Sequence, residues 1–169
     1  MHESYRGPIG FCLEGMSGPH SGAWYRAQSL VKSLTQFGFS VHVLGEIGRH
    51  EGARNWGVES ISLIPKLNKW QRVMGRTRRL QDFANRTGCK ILHLEAHPFV
   101  GLRGAKTLGA IHDLRALRGG ARSFLRPTAL YLRFFFPIVS RRLSLWLALS
   151  EFGKQELQAR LGIPAHMIR

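Results

Sequence analysis

Short apolar runs alternate along this chain with longer segments in which apolar residues recur at helical spacing. The runs predict strands at Ile9–Leu13, Ser40–Leu44, Val58–Ile64, Lys90–Leu94, Thr107–Ile111 and Leu145–Leu149. The periodic segments predict helices over Ala23–Phe37, Lys69–Thr87 and Arg126–Leu143, with a last helix that Ser150 caps. Strands that alternate with helices pair in parallel through right-handed crossovers, so the pattern predicts an α/β fold with one doubly wound parallel sheet.

The whole chain, residues 1–169, is expected to form one domain, because its length suits a single core and it contains no internal repeat or low-complexity linker. The N-terminus has no apolar signal core, and arginine and proline interrupt the most hydrophobic segment, residues 131–149. Cys12 and Cys89 stand in strand-like contexts and are predicted to be buried thiols. These features favour a cytoplasmic location.

Ligands of open α/β sheets bind beyond the carboxyl ends of the strands, so the functional residues are expected in the loops that follow the strands. The first loop runs from Glu14 to Gly22, contains Gly15 and Gly18, and leads into a helix that carries Arg26. Glycines let a backbone approach a phosphate, and the N–H groups at a helix start favour an anion. The loop matches neither the dinucleotide fingerprint nor the Walker lysine loop. It therefore predicts either a phosphate-facing loop or a plain flexible connection.

The loops after the fourth and fifth predicted strands place histidine beside carboxylate. His93, Glu95 and His97 lie at the end of the fourth strand, and His112 and Asp113 follow the fifth. A histidine there can donate a hydrogen bond to a ligand hydroxyl or carry a proton near neutral pH, but it can also be capped by the backbone or by Asp113. For His93, inside its strand, burial or surface exposure is the better explanation. The helical histidine spacing of zinc proteases is absent, so no metal site is predicted.

The formal net charge of +15 is concentrated in two segments. Thirteen of the 25 basic residues lie in residues 66–79 and 115–142, and neither segment contains an acid. In the first segment, apolar residues from Trp70 to Leu80 share a helical face that can pack on the sheet while the basic face contacts an anionic partner. The predicted contacts are Lys66, Lys69, Trp70, Arg72, Arg76, Arg78, Arg79, Arg126 and Arg133.

Anionic lipid headgroups and nucleic acid would both be attracted to these segments. Trp70 and the apolar cluster Leu130–Phe136, which lies beside Arg126 and contains Arg133, favour a membrane surface. The sequence contains no recognisable nucleic-acid-binding motif. A peripheral membrane contact is therefore preferred, and nucleic acid is disfavoured.

Several stretches together resemble the N-terminal half of a GT-B fold, family 4 glycosyltransferase. They are the loop Gly15–Gly22, the helix sequence Tyr25-Arg-Ala-Gln-Ser-Leu30, the turn and strand Gly38-Phe-Ser-Val-His-Val43, His112-Asp113-Leu114, and the strand, Ser150 cap, helix and Leu161-Gly-Ile-Pro164 end. Phe39 stands where the family usually has histidine. The resemblance implies a single Rossmann-like sheet that forms one half of an enzyme for retaining hexosyl transfer from a sugar nucleotide.

The resemblance also implies roles for individual residues. It places Gly15, Gly18, Gly22 and Arg26 at the donor phosphates, the catalytic residues His112 and Asp113 at the transferred sugar, and His20, Glu95 and His97 at the acceptor. The sugar nucleotide is a substrate, and neither a cofactor nor a metal is expected. A lipid-linked or glycan acceptor would fit a protein held at the inner face of the plasma membrane.

The family's donor-binding half supplies an arginine–lysine pair for the leaving diphosphate and a Glu-x7-Glu motif, and neither can be assigned before Arg169. We therefore expect an acceptor-binding half that is inactive alone, its second half separately encoded or missing. One alternative is a stand-alone basic module that binds a membrane or nucleic acid without catalysis. A free-standing nucleotide-binding domain is disfavoured, because Glu46 is only a loosely placed candidate for its ribose-binding acid.

Overall fold

A single six-stranded parallel sheet forms the centre of the molecule. The structure, a computed structural model, describes residues 5–96, 99–111, 138 and 142–169. The strands are β1 (Ile9–Cys12), β2 (Val41–Glu46), β3 (Ser60–Ile64), β4 (Ile91–Leu94), β5 (Lys106–Ile111) and β6 (Leu145–Ala148), in the spatial order β3-β2-β1-β4-β5-β6. This is the doubly wound Rossmann order, so the predicted fold class is confirmed.

Side chains cap the N-termini of three of the four described α-helices. They are α1 (Gly22–Gln36), α2 (Lys69–Met74), α3 (Arg76–Thr87) and α4 (Glu151–Leu161), with short 3-10 helices at Glu51–Trp56 and Ala165–Met167. The side chains of Ser21 and Ser150 accept hydrogen bonds from backbone N–H groups of the first turns of α1 and α4, and Asn68 forms a capping box with Gln71. The predicted cap at Ser150 is therefore confirmed.

The helix predicted over residues 69–87 is interrupted at Gly75. Gly75 ends α2 and begins α3, with φ −100° and ψ 0°. Leu80 of α3 is buried against the sheet, whereas Trp70 and Met74 of α2 are 78% and 82% exposed. The expectation that one continuous apolar face packs on the sheet is therefore wrong for α2, because the break lets α2 leave the core.

The core has two clusters, one on each face of the sheet. Phe11 of β1 packs with α1 and the first 3-10 helix, whereas the next residue, Cys12, packs with α3 and α4. Neighbouring side chains of a strand point to opposite faces, so α1 covers one face and α3 and α4 the other. Both cysteines are buried free thiols, as predicted. Across the ranges that the structure describes, no helix is long and apolar enough to cross a membrane.

The central strands end in register at one edge of the sheet. Cys12 of β1 lies beside Leu44 of β2 and Leu94 of β4. The chain segments that follow these three positions therefore meet at the carboxyl edge, on either side of β1.

Candidate functional site

Three buried glutamates lie at the carboxyl edge of the sheet. Glu14 follows β1, Glu46 ends β2 and Glu95 follows β4, and each is at most 1% exposed. A buried carboxylate is costly unless a cation and hydrogen bonds compensate it. All three are compensated by arginines from other elements.

Two arginines of α3 hold Glu14. Arg79 Nη2 lies 2.6 Å and Arg76 Nη1 lies 3.5 Å from Glu14 Oε1. Arg76 also donates to the backbone carbonyl of Glu14 at 3.1 Å and to that of Ala96 at 2.8 Å. The Arg76 side chain is fully buried, so a single guanidinium group joins the loop after β1 to the loop after β4.

Glu46 anchors the first glycine of the loop. Its Oε1 accepts a hydrogen bond from the Gly15 backbone N–H at 3.1 Å and lies 3.4 Å from Arg72 Nη2 of α2. Arg49 lies 3.7 Å from its other oxygen. The backbone N–H of Glu46 donates to His50 Nδ1 at 2.9 Å, and burial of that ring lowers the pKa of His50. The loop after β1, the end of β2 and α2 thus share one network.

Glu95 joins α1 to β4. Its carboxylate forms an ion pair with Arg26 of α1 and lies 2.7 Å from His93 Nε2. The His93 ring is buried and stacks on Phe11 with a centroid distance of 4.3 Å. Of the two explanations considered for His93, burial is the one observed. Arg26 and Glu95, assigned to the donor and the acceptor respectively, contact each other.

The loop that begins at Glu14 has two unusual backbone positions. Gly15 has φ +85°, and His20 has φ +74°, a left-handed conformation that side chains other than glycine, asparagine and aspartate rarely adopt. His20 is exposed. Ser21 closes the loop, because its hydroxyl donates to the Gly18 carbonyl at 3.1 Å and accepts from the Trp24 N–H. The glycine-rich loop therefore leads directly into α1, and the hydrogen bonds of Ser21 fix its last residues.

The predicted contact residues of the segment 66–79 divide into two groups. Lys66, Trp70 and Arg78 are exposed. Arg72 and Arg79 are partly buried and bound to glutamates, and Arg76 is fully buried. A membrane contact by Arg76 is therefore ruled out, because its charge is used inside the protein to compensate Glu14.

Several predicted residues lie outside the part of the chain that the structure describes. They are His97, His112, Asp113, Arg126 and Arg133, together with the side chain of Lys69. Within the described part, no cluster of three histidine, cysteine or acidic side chains is arranged to hold a metal ion.

Sequence reasoning missed Glu14 as a partner for the arginines and gave Glu46 too small a role. Both follow buried strand residues directly, and the chain has only 10 acidic residues for 25 basic ones. An acid at the end of a buried strand in such a basic chain was the available signal.

The strand order defines a Rossmann-like α/β domain, with the glycine-rich loop after β1 at the carboxyl ends of its strands. The model of Glycosyltransferase Family 4 matches residues 20–169. The chain therefore belongs to glycosyltransferase family 4, and the resemblance to an N-terminal GT-B domain of this family is confirmed.

One solved structure supports this fold. The structure of a glycosyltransferase from Rickettsia africae ESF-5 superimposes on this one with a TM-score of 0.61, and the two sequences are 15% identical. The match covers 98% of this chain and 42% of the Rickettsia africae chain. The chain thus spans less than half the length of that protein. AviGT4, a glycosyltransferase involved in avilamycin A biosynthesis, is 13% identical over 96% of this chain and 62% of its own, with a TM-score of only 0.34. No curated protein matches the sequence.

Proposed function

We propose that this chain is the acceptor-binding half of a retaining, sugar-nucleotide-dependent glycosyltransferase and is inactive without a donor-binding half. Family membership over residues 20–169 is the observation that carries the proposal. The chain covers 42% of the related Rickettsia africae structure, which supports a partner half of similar size.

The carboxyl edge supplies the groups that such a half needs. The glycine-rich loop, with Gly15, Gly18 and Gly22, faces the donor phosphates, since it leads into the N-terminus of α1. His20, exposed on that loop, approaches the acceptor together with His97. His112 and Asp113 act at the transferred sugar, where a histidine can hold or move a proton near neutral pH.

The net positive charge of the paired side chains at this edge can attract a polyanion over a distance. Five arginines pair with three glutamates: Arg26 with Glu95, Arg49 and Arg72 with Glu46, and Arg76 and Arg79 with Glu14. The excess of guanidinium groups draws a sugar diphosphate towards the edge. Because carboxylates already hold these groups, direct neutralisation of the leaving diphosphate falls to the donor-binding half.

A lipid-borne acceptor is supported by the surface of α2 and α3. Trp70, Val73 and Met74 form an exposed apolar face, which we call the α2 face, and Lys66 and Arg78 are exposed near it in sequence. Beside Met74 a groove of about 830 Å³ is lined by Arg78, Leu102, Arg103 and Arg142, and Asp82 is the one acidic side chain among the described residues that line it. An aromatic and apolar face beside cationic side chains suits the interface of an anionic membrane. We place the protein at the inner face of the plasma membrane.

The catalytic part of the proposal is tested with the chain alone and with a donor-binding half of the same family added. Each sample receives radiolabelled sugar nucleotides and lipid extract, and labelled lipid is measured after extraction. We expect no transfer by the chain alone and transfer when both halves are present, with the anomeric configuration retained. Transfer by the chain alone, or inversion of configuration, would contradict the proposal.

The membrane part is tested by flotation with vesicles of phosphatidylcholine and phosphatidylglycerol. Trp70→Ala should weaken binding by about tenfold, because burial of an indole at the interface is lost. Phe37→Ala is the matched control, since Phe37 is an equally exposed aromatic residue (82%) at the end of α1. Equal losses in the two variants, or equally tight binding of wild type to double-stranded DNA at the same salt concentration, would refute the membrane assignment.

A stand-alone basic binding module remains the second candidate, and the net charge of +15 is the observation that favours it. Such a module would bind vesicles and yet support no transfer when the donor-binding half is added. The two assays together therefore separate the candidates.

A further inference from the structure

Three arginines on one side of the α2–α3 segment point into the carboxyl edge of the sheet. Arg76 and Arg79 are three residues apart on α3, which is the spacing of one helical face, and Arg72 of α2 lies on the same side across the break at Gly75. All three are at least partly buried, whereas Arg78 on the same segment is 90% exposed. The segment thus presents a dedicated basic face to the protein interior.

Every one of these arginines reaches the start of the glycine-rich loop, either directly or through one carboxylate. Arg76 donates to the Glu14 carbonyl, and Arg79 holds the Glu14 side chain. Arg72 lies beside Glu46, whose carboxylate accepts the Gly15 N–H. The first two loop residues are therefore fixed by contacts with residues far away in sequence.

The position of these two residues sets the path of the rest of the loop. Gly15 has φ +85°, so the chain turns sharply at this point, and a small rotation there moves every later loop residue. Ser21 orders the far end only by contacts within the loop and with the first turn of α1. The connection to α2 and α3 is thus a long-range restraint at the near end, beside the packing of the buried Met16 side chain in the core.

We propose that Arg72, Arg76 and Arg79 are positioning residues of the glycine-rich loop. Through Glu14 and Glu46 they fix the position of the start of this loop relative to the carboxyl edge of the sheet. Their importance for sugar transfer rests on the proposed role of the loop at the donor phosphates. Their effect on loop order does not, because it follows from the contacts alone.

The test is hydrogen–deuterium exchange, followed by mass spectrometry, in the 169-residue chain without added ligand. In Arg79→Gln the peptide that contains residues 14–21 should exchange about tenfold faster, because a charge-assisted hydrogen bond to Glu14 is lost. Arg79→Lys keeps a cation within reach of Glu14 and should restore most of the protection. Arg78→Gln is the matched control, since it removes an exposed arginine whose nearest carboxylate oxygen, on Asp82, is 3.9 Å away.

A general loss of stability would be recognised by faster exchange in β5 and β6 as well. Faster exchange confined to the loop peptide, with rescue by lysine, would support the proposal. Unchanged loop exchange in Arg79→Gln and in Glu46→Gln, or equal changes in the loop and in β5 and β6, would overturn it. These outcomes need no transfer activity, so failure of the proposed function would show separately, in the transfer assay.

Discussion

Replacement of Gly109 by alanine tests how closely β5 and β6 pack on the α3 and α4 side of the sheet. Gly109 pairs with Trp146 in the register of the two strands. A Cβ atom on Gly109 would lie 2.6 Å from Trp146 Cζ3 and 2.7 Å from Leu143 Cδ2. Carbon atoms in contact are about 3.5–4.0 Å apart, so the indole would have to move by roughly 1 Å.

Trp146 has little room for such a movement. It is fully buried and meets Phe99 edge to face, with a centroid distance of 4.9 Å and an interplanar angle of 79°. Overpacking a core usually costs about 1–3 kcal/mol, and the rigidity of an indole places Gly109→Ala in the upper half of that range. For a chain of this length we expect the melting temperature to fall by about 5–10 °C.

The assay is urea unfolding followed by far-ultraviolet circular dichroism, with Gly22→Ala as the control. A Cβ atom at Gly22 meets nothing within 4 Å, and the residue begins α1, so alanine there should stabilise the fold by about 0.4–1 kcal/mol. A free energy of unfolding for Gly109→Ala within about 0.5 kcal/mol of the wild-type value would refute the reasoning, because a neutral surface substitution has an effect of that size.

Three further predictions concern buried polar groups. Arg76→Met should lower the free energy of unfolding by about 3–5 kcal/mol in urea titrations, because the buried Glu14 carboxylate loses one of its cations and the carbonyls of Glu14 and Ala96 lose their donor. Arg78→Met should cost less than about 0.5 kcal/mol, and similar costs in the two variants would contradict the buried network. Burial lowers the pKa of His50, so below about pH 6.5, the ordinary pKa of histidine, the unfolded chain binds more protons than the folded one. The contribution of His50 to the free energy of unfolding should therefore be fully present above that pH and be lost as the pH falls below it, and His50→Gln should flatten this dependence in urea midpoints. Burial also raises the pKa of the Cys12 thiol to about 11, so Ellman's reagent at pH 8 should modify Cys12 only after unfolding, and prompt native reaction would show that its site opens.

The order of strands and helices could be predicted from the sequence because it depends on local patterns. Apolar runs mark β1 to β6, and Ser150 and Gly162 mark the two ends of α4. The break at Gly75 was not predicted, since the apolar periodicity continues across it. The break shows only in the tertiary packing, where α3 covers the sheet and the apolar side chains of α2 stay exposed.

The network at the carboxyl edge could not be predicted in the same way. Arg76 and Glu14 are 62 residues apart, and Arg26 and Glu95 are 69 apart. Charge spacing within a segment predicts which residues share a helix face, but only tertiary packing decides whether that face meets solvent or a buried carboxylate. The sequence therefore indicated the loops of the site and left open which arginines serve it.

Burial of Glu14, Glu46 and Glu95 has a further consequence for how the molecule behaves in solution. These are three of only 10 acidic residues, and their charge is withdrawn from the outer surface, while four of the five arginines that pair with them stay partly exposed. The described part of the outer surface thus carries a larger cationic excess than the composition alone suggests. Copies of the chain will repel one another at low ionic strength, where the screening length exceeds about 10 Å, and will adsorb to anionic surfaces such as glass. Purification and storage should therefore be carried out at high salt concentration.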